Sequence, residues 1–181
     1  MRIIGGKHKG KAILPPNGYK ARPTTDFAKE GLFNVLDNEY ELEGLKVLDL
    51  FGGTGAISYE FASRGADRVY CVEMAPLHAS FIKSQASKLG MDNLTVVRHN
   101  VFEFLDICRE KFDIIFADPP YAIEGLVDIP NKVFSKDILH KGAYFILEHP
   151  DTFDFSSHPH FLKEKKYGNV HFSFFEMPET E

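Results

Sequence analysis

From Lys46 onward the chain alternates between two kinds of hydrophobic pattern. Val47-Leu48-Asp49-Leu50-Phe51, Arg68 to Val72, Leu94 to Val97, Phe112 to Ala117 and Ala143 to Leu147 are short, largely apolar runs. Runs of this length predict strands buried on both faces. Between them, Ile57 to Arg64, Pro76 to Leu89, Val101 to Cys108 and Val127 to Leu139 carry helical material. Pro76 suits a first helical turn, while Gly65 and Gly90 stand where helices stop. Strands alternating with helices imply an α/β fold, a mostly parallel sheet covered on both faces. The tail differs: Phe161 to Lys165 and Val170 to Glu176 flank Tyr167-Gly168-Asn169, which predicts an antiparallel hairpin. Ahead of the regular part, Ile3-Ile4 and Ala12-Ile13-Leu14 flank a Gly/Lys turn and predict a small β-hairpin, broken by Pro15-Pro16-Asn17-Gly18. Leu32, Phe33 and Leu36 then fall at helical spacing within Phe27 to Leu36, with Thr24 or Thr25 as the cap. The expected organisation is an N-terminal extension, residues 1–40, on a main domain, residues 41–181.

Two loops follow predicted strands and carry the candidate chemistry. The first is Asp49-Leu-Phe-Gly-Gly-Thr-Gly55. Glycines after a strand let backbone N–H groups and a helix N-terminus approach a ligand, which in dinucleotide sites is a pyrophosphate. Here the third glycine of G-x-G-x-x-G is absent, because Ser58 stands in its place. Asp49 would be awkward beside a pyrophosphate but useful beside the ammonium of a methionine moiety. Glu73 closes the second strand, and its carboxylate can accept both ribose hydroxyls of an adenosine. Asn100 follows the third strand, where an amide can hydrogen-bond the adenine edge. The candidate cofactor residues are therefore Asp49, Phe51, Gly52, Gly53, Thr54, Gly55, Glu73, Met74, Asn100 and Val101.

The second loop is Asp118-Pro119-Pro120-Tyr121. Two prolines remove two backbone donors and fix φ, so the turn is stiff. An exocyclic amine on a nucleobase is a poor nucleophile, because its lone pair is delocalised into the ring. The Asp118 carboxylate and the Pro119 carbonyl can hold both of its hydrogens and turn the lone pair toward a methyl donor. Tyr121 can stack on the base, and Pro120 stiffens the turn. Orientation of this kind supplies much of a methyl-transfer rate, and no metal is required. A base inside a duplex could not reach such a pocket, so the target is expected to be unpaired or flipped out.

Charge adds a partner. The net charge of −5 conceals an asymmetry: Arg2, Lys7, Lys9, Lys11, Lys20, Arg22 and Lys29 face only Asp26 in residues 1–29, a net of +6, against −11 for the rest. A basic end on an acidic body predicts an arm for a polyanion, with Arg2, Lys7, Lys9, Lys11, Lys20 and Arg22 as its RNA contacts. Cys71 in a predicted strand and Cys108 in a predicted helix read as reduced, buried thiols, and a cytoplasmic setting follows. No apolar run approaches the roughly 20 residues of a membrane span, and the N-terminus lacks the h-region of a signal peptide.

An α/β core finished by an antiparallel hairpin is the order of a Rossmann-like class I methyltransferase. The residues resemble the RsmD-type methyltransferases that make N2-methylguanine in bacterial small-subunit (16S) rRNA. The resemblance rests on Met1-Arg2-Ile3-Ile4-Gly5-Gly6 with Lys9-Gly10, on Arg22-Pro23-Thr24-Thr25-Asp26 through Lys29-Glu30 and Leu32-Phe33-Asn34, and on Asp49 to Gly55. It continues through Ser63-Arg64-Gly65-Ala66, Glu73, Phe112-Asp113, Asp118-Pro-Pro-Tyr121 and Glu148-His149. It implies S-adenosylmethionine as donor, with S-adenosylhomocysteine as product, and places Arg22, Thr24 and Thr25 near the cofactor and substrate. Phe27, where that family usually has a basic residue, and Asn100, where it usually has Asp, depart from the pattern. The expected substrate is small-subunit rRNA, within a partly assembled subunit, acted on by a monomer. Two other readings share the motifs: a DNA adenine or cytosine amino-methyltransferase, for which 181 residues leave little room for a target-recognition domain, and a non-catalytic RNA-binding ribosome-assembly factor. A nicotinamide enzyme is disfavoured by the missing glycine.

Overall fold

A computed structural model describes residues 1–19 and 24–179. The elements run in the order α1 (Asp26–Glu39), β1 (Lys46–Leu50), α2 (Ala56–Ser63), β2 (Arg68–Val72), α3 (Pro76–Lys88), β3 (Leu94–Val97) and α4 (Val101–Ile107). They continue with β4 (Phe112–Ala117), a 3₁₀ turn at Leu126–Asp128, α5 (Ile129–Ser135), β5 (Leu139–His149), β6 (Phe161–Tyr167) and β7 (Val170–Glu176). One seven-stranded sheet has the order β3-β2-β1-β4-β5-β7-β6. The first five strands are parallel, and β7 is antiparallel to both β5 and β6. This is the α/β sheet with a C-terminal antiparallel pair that the pattern predicts.

Successive strand residues point to opposite faces, so each strand feeds two cores. Val47, Ile114 and Phe174 pack with Leu32 and Phe33 of α1, Ile57 and Phe61 of α2, and Ile82 of α3. Leu48, Ile115 and Phe145 pack with Leu105 of α4 and Val133 of α5 on the other side. Chain direction makes the site. From β1 the chain winds outward through β2 and β3, then returns to β4 on the other flank of β1. At such a reversal the connections leave the two strands in opposite directions, and a crevice opens beyond their carboxyl ends. Those ends are Leu50 and Ala117, which pair at the last position of the β1–β4 ladder.

The N-terminal segment is pinned to α2. Ile4 and Gly5 donate backbone N–H groups to the two Glu60 carboxylate oxygens, each at 2.9 Å. Lys7 N–H bonds the Ser63 carbonyl at 2.8 Å, and the Ser63 hydroxyl donates to the Gly5 carbonyl at 2.7 Å. A Cβ on Gly6, at φ +78°, would lie 2.1 Å from the Ser63 carbonyl oxygen, which accounts for glycine there. Glu60, fully buried, is matched by Lys29 Nζ at 3.3 Å and Arg64 Nε at 3.0 Å. The predicted N-terminal hairpin reduces to a single antiparallel bridge, Arg2 opposite Ala12, because Glu60 and Ser63 take backbone groups that a longer ladder would use. Thr25, not Thr24, caps α1, accepting from Ala28 N–H at 3.1 Å. The helix expected to reach Leu139 ends at Ser135, and β5 begins at Leu139 rather than Ala143. Polar His140, Lys141 and Gly142 (φ +79°) interrupt the apolar run there and hide the start of the strand.

Candidate active site

Beyond the ends of β1 and β4 lies a cavity of about 560 Å³. Of the residues predicted for the cofactor, Thr24, Asp49, Phe51, Gly52, Gly53, Thr54, Glu73, Met74, Asn100 and Val101 line it. Asp118, Pro119, Pro120 and Tyr121 line the same cavity. Gly55 does not; it starts α2 at φ +85°, and a Cβ there would sit 2.6 Å from the Tyr59 ring. Lys20 and Arg22 lie outside the described residues.

The loop after β1 is shaped by two constraints. Gly52 N–H bonds the Val72 carbonyl at 2.8 Å, and a Cβ on Gly52 would lie 2.4 Å from Cys71 Sγ, so only glycine lets the loop pass β2 this closely. Phe51 holds φ at +62°, a left-handed conformation that costs a non-glycine residue about 1–2 kcal/mol. That turn sends the Phe51 side chain into the cavity wall, edge-on to Phe102 at 6.3 Å.

Asp49 is 2% exposed, with the Ser58 hydroxyl donating to its Oδ2 at 2.6 Å. Ser58, the residue in the third glycine's place, is thus a partner for Asp49. Burial pushes the Asp49 carboxyl up to about 7, against the opposing pull of the Ser58 hydrogen bond. Among the described residues no lysine or arginine lies within salt-bridge distance of it. An acid buried without a cation beside a cavity favours a cationic ligand. Glu73 accepts Gly53 N–H through Oε1 at 2.8 Å and Ala75 N–H through Oε2 at 2.7 Å. A carboxylate has about four lone-pair sites, so two remain for hydroxyl donors in the cavity. Asn100 has a structural task as well. Its Oδ1 caps α4, accepting from Phe102 N–H at 2.9 Å and Glu103 N–H at 3.1 Å. With that oxygen committed, the amide is left with its Nδ2, which lies 3.7 Å from Met74 Sδ and whose donors suit a ring nitrogen rather than an amine.

The turn after β4 is compact. The Pro120 carbonyl accepts Ile123 N–H at 2.9 Å, Pro119 is buried and Tyr121 half-buried. Asp118 follows Ala117, whose β5 partner is Leu147, so Glu148 stands beside it on the neighbouring strand. No group of three or more His, Cys, Asp or Glu that could hold a metal occurs among the described residues.

Sequence reasoning missed two polar side chains at the cofactor loop. Tyr19 Oη donates to the Gly53 carbonyl at 2.5 Å. Its ring stacks on His78 at 4.0 Å and meets Phe81 edge-on at 5.4 Å. His78 lines the cavity, with Nδ1 3.9 Å from Glu73 Oε2. His78 had a weak signal, a polar ring in the first turn after Glu73; Tyr19 had none, because it arrives from a remote segment. Burial holds the Tyr19 hydroxyl far above the usual tyrosine range, so it stays a donor.

The basic residues divide in space. Arg2 pairs with Asp26 at 3.4 Å, both partly exposed. Lys7, Lys9 and Lys11 are exposed on the loop that bonds Ser63 and, through His8 and the Leu89 carbonyl, the end of α3. Ser63 is the last residue of the eight-residue α2, whose first turn faces the cavity, so this loop stands about 12 Å farther along the helix.

The family model described as "Conserved hypothetical protein 95" matches residues 1–176. "Ribosomal RNA small subunit methyltransferase D" of Buchnera aphidicola subsp. Baizongia pistaciae is 32% identical over 179 residues, covering 97% of this chain and 91% of that protein. The protein of the same name from Escherichia coli K12 is 34% identical over 128 residues, 71% of this chain and 63% of its own length. Among solved structures, Escherichia coli yhhF superposes with a TM-score of 0.87 at 28% identity, covering 99% of both chains. The hypothetical protein TTHA0928 of Thermus thermophilus follows at TM-score 0.86 and 29% identity, covering 98% of this chain and 99% of that one. With a fold shared over nearly the whole chain and relatives that align over nearly its whole length, the chain belongs to the ribosomal RNA small subunit methyltransferase D family.

Proposed function

We propose that the protein transfers a methyl group from S-adenosylmethionine to the exocyclic N2 amine of a guanine in small-subunit ribosomal RNA. One observation carries the reading: the glycine loop after β1 and the Asp118 turn after β4 share one cavity. Its volume, about 560 Å³, falls in the range of small-molecule sites. Asp49 would hold the amino-acid ammonium, Glu73 the ribose hydroxyls, and Asn100 Nδ2 an adenine ring nitrogen. Gly52 and Gly53 would let the loop backbone lie close against the ligand. When bound, S-adenosylmethionine supplies an electrophilic methyl on a sulfonium.

The chain's own part is to orient the amine. Asp118 and the Pro119 carbonyl accept its two hydrogens, which frees the nitrogen lone pair, and Tyr121 fixes the plane of the base. These acceptors bond more strongly to a nitrogen gaining positive charge, so they favour the transition state over the ground state. As the new N–C bond forms and the C–S bond breaks, the surplus proton leaves through the Asp118 carboxylate or to water.

The test uses small subunits and their assembly intermediates from cells lacking this activity, with labelled cofactor and with DNA as a parallel substrate. The expected result is one N2-methylguanine in small-subunit rRNA, faster on partly assembled subunits than on naked rRNA. Asp118→Ala should lower kcat by at least about 100-fold, the scale of one lost charge-stabilising group. Label in DNA alone, or an unaltered rate with Asp118→Ala, would refute the reading.

A further inference from the structure

The most basic loop stands about 12 Å along α2 from the cavity. A nucleotide chain feeding a base into the cavity therefore needs other protein surface at the mouth. His149 at the end of β5 pairs with His171, and Tyr167 pairs with Val170, so the β6–β7 turn stands at the cavity's edge of the sheet. Tyr167 Oη donates to the Gly31 carbonyl at 3.1 Å. It gets this close only because Gly31 has no side chain: a Cβ there would lie 2.2 Å from Tyr167 Cε1. The Tyr167 ring meets Phe27 edge-to-face, with centroids 5.8 Å apart and planes at 80°. Phe27 is 65% exposed in the first turn of α1. It is three residues past Thr24 in the cavity wall, at most about 11 Å of chain away.

One exposed aromatic is ordinary. This one is braced on one side by a ring itself tied to α1, beside the cavity, and next to a basic strand. Lys163 is held by Glu39, whereas Lys165, on the same face of β6 as Tyr167, is exposed, and among the described residues no carboxylate lies within salt-bridge distance of it. An aromatic face beside an exposed cation matches single-stranded nucleic acid, whose bases stack and whose phosphates need neutralising.

Resting on the rRNA reading above, we propose that Phe27, braced by Tyr167, is a stacking platform for a nucleotide flanking the target base, with Lys165 taking an adjoining phosphate. Phe27 is exposed, so its variants keep the fold. With undermethylated small subunits as substrate, Phe27→Ala should raise KM for the subunit roughly tenfold, the scale of one lost base–aromatic stack. Its kcat and its affinity for S-adenosylhomocysteine, measured by calorimetry, should not change. Phe27→Tyr should behave as the parent, and Phe27→Leu as the alanine variant. Replacing Lys165 by Gln should make the dependence of log KM on log salt shallower by roughly 0.7. An unchanged KM for Phe27→Ala overturns the proposal. So does a parental KM for Phe27→Leu, which would mean apolar packing against a ribosomal protein. Failure of the unaltered protein to methylate any subunit would instead remove the rRNA reading itself, and this proposal with it.

Discussion

Asp49, bonded to Ser58 of α2, and Glu60, two residues further along the same helix, are both buried carboxylates, and their surroundings differ completely. Glu60 has two backbone N–H donors and two cations, Lys29 and Arg64. Asp49 has the Ser58 hydroxyl, a cavity on its open side, and a carboxyl pushed up to about 7. A buried charge whose partners all come from the chain is architecture, and here it fastens the N-terminal segment to the body. A buried acid short of a cation is a site held ready for one.

The contrast can be broken from the Glu60 side first. Lys29→Met removes one of its two cations while Arg64 stays, so the expected loss is about 3 kcal/mol in urea unfolding, at the low end for a broken buried pair. Affinity of the folded fraction for S-adenosylhomocysteine should be unchanged. A parental unfolding midpoint would show that Glu60 needs no compensation from Lys29.

Asp49→Asn should do the reverse. Loss of a charged partner for the ligand's ammonium should weaken S-adenosylhomocysteine roughly 10- to 100-fold, while the ligand-free protein stays folded. The pH dependence has a definite sign. The folded carboxyl titrates near 7 and the unfolded one at the ordinary 3.8, so the folded state binds more protons between those values. The stability contributed by neutral Asp49 is complete below about pH 4 and is lost as pH rises through 7. Ligand-free Asp49→Asn should therefore match the parent in acid and exceed it in melting temperature at pH 8. Cofactor affinity of the parent should fall as pH drops below 7. A flat affinity profile from pH 5 to 8 would remove Asp49 from the ammonium site.

The smallest effect tests the rim. Tyr19→Phe keeps the stack on His78 and loses the bond to the Gly53 carbonyl, so KM for the cofactor should rise about fivefold, the scale of one hydrogen bond, at unchanged kcat. A drop in kcat with no change in KM would place Tyr19 in the chemistry instead of at the cofactor loop.

Much of this was legible in the residues because parallel strands buried on both faces leave short apolar runs, and because glycine and proline mark turns. Phe112 to Ala117 was readable to the residue, and β1 to within one residue at each end. Gly55 was read as a ligand contact, yet its place is taken by the Tyr59 ring, a neighbour four residues on that no motif names. Asn100 was read as an amide for the adenine edge, but which end of it is left free was not legible, since helix capping takes the oxygen. Met1 to Gly6 and Ser63 to Ala66 were two separate signatures of resemblance; folded, parts of each are the two sides of one latch.

By itself the sequence determined the alternation of strands and helices, the stiff acidic turn and the glycine loop, because each depends on neighbours a few positions away. Tertiary structure alone decided that the two loops share a cavity, that Tyr19 reaches Gly53, that Lys7 to Lys11 stand far from the mouth, and which buried acid has cations. Those are distances between segments remote in the chain. They follow from strand order and helix docking, which local pattern does not encode.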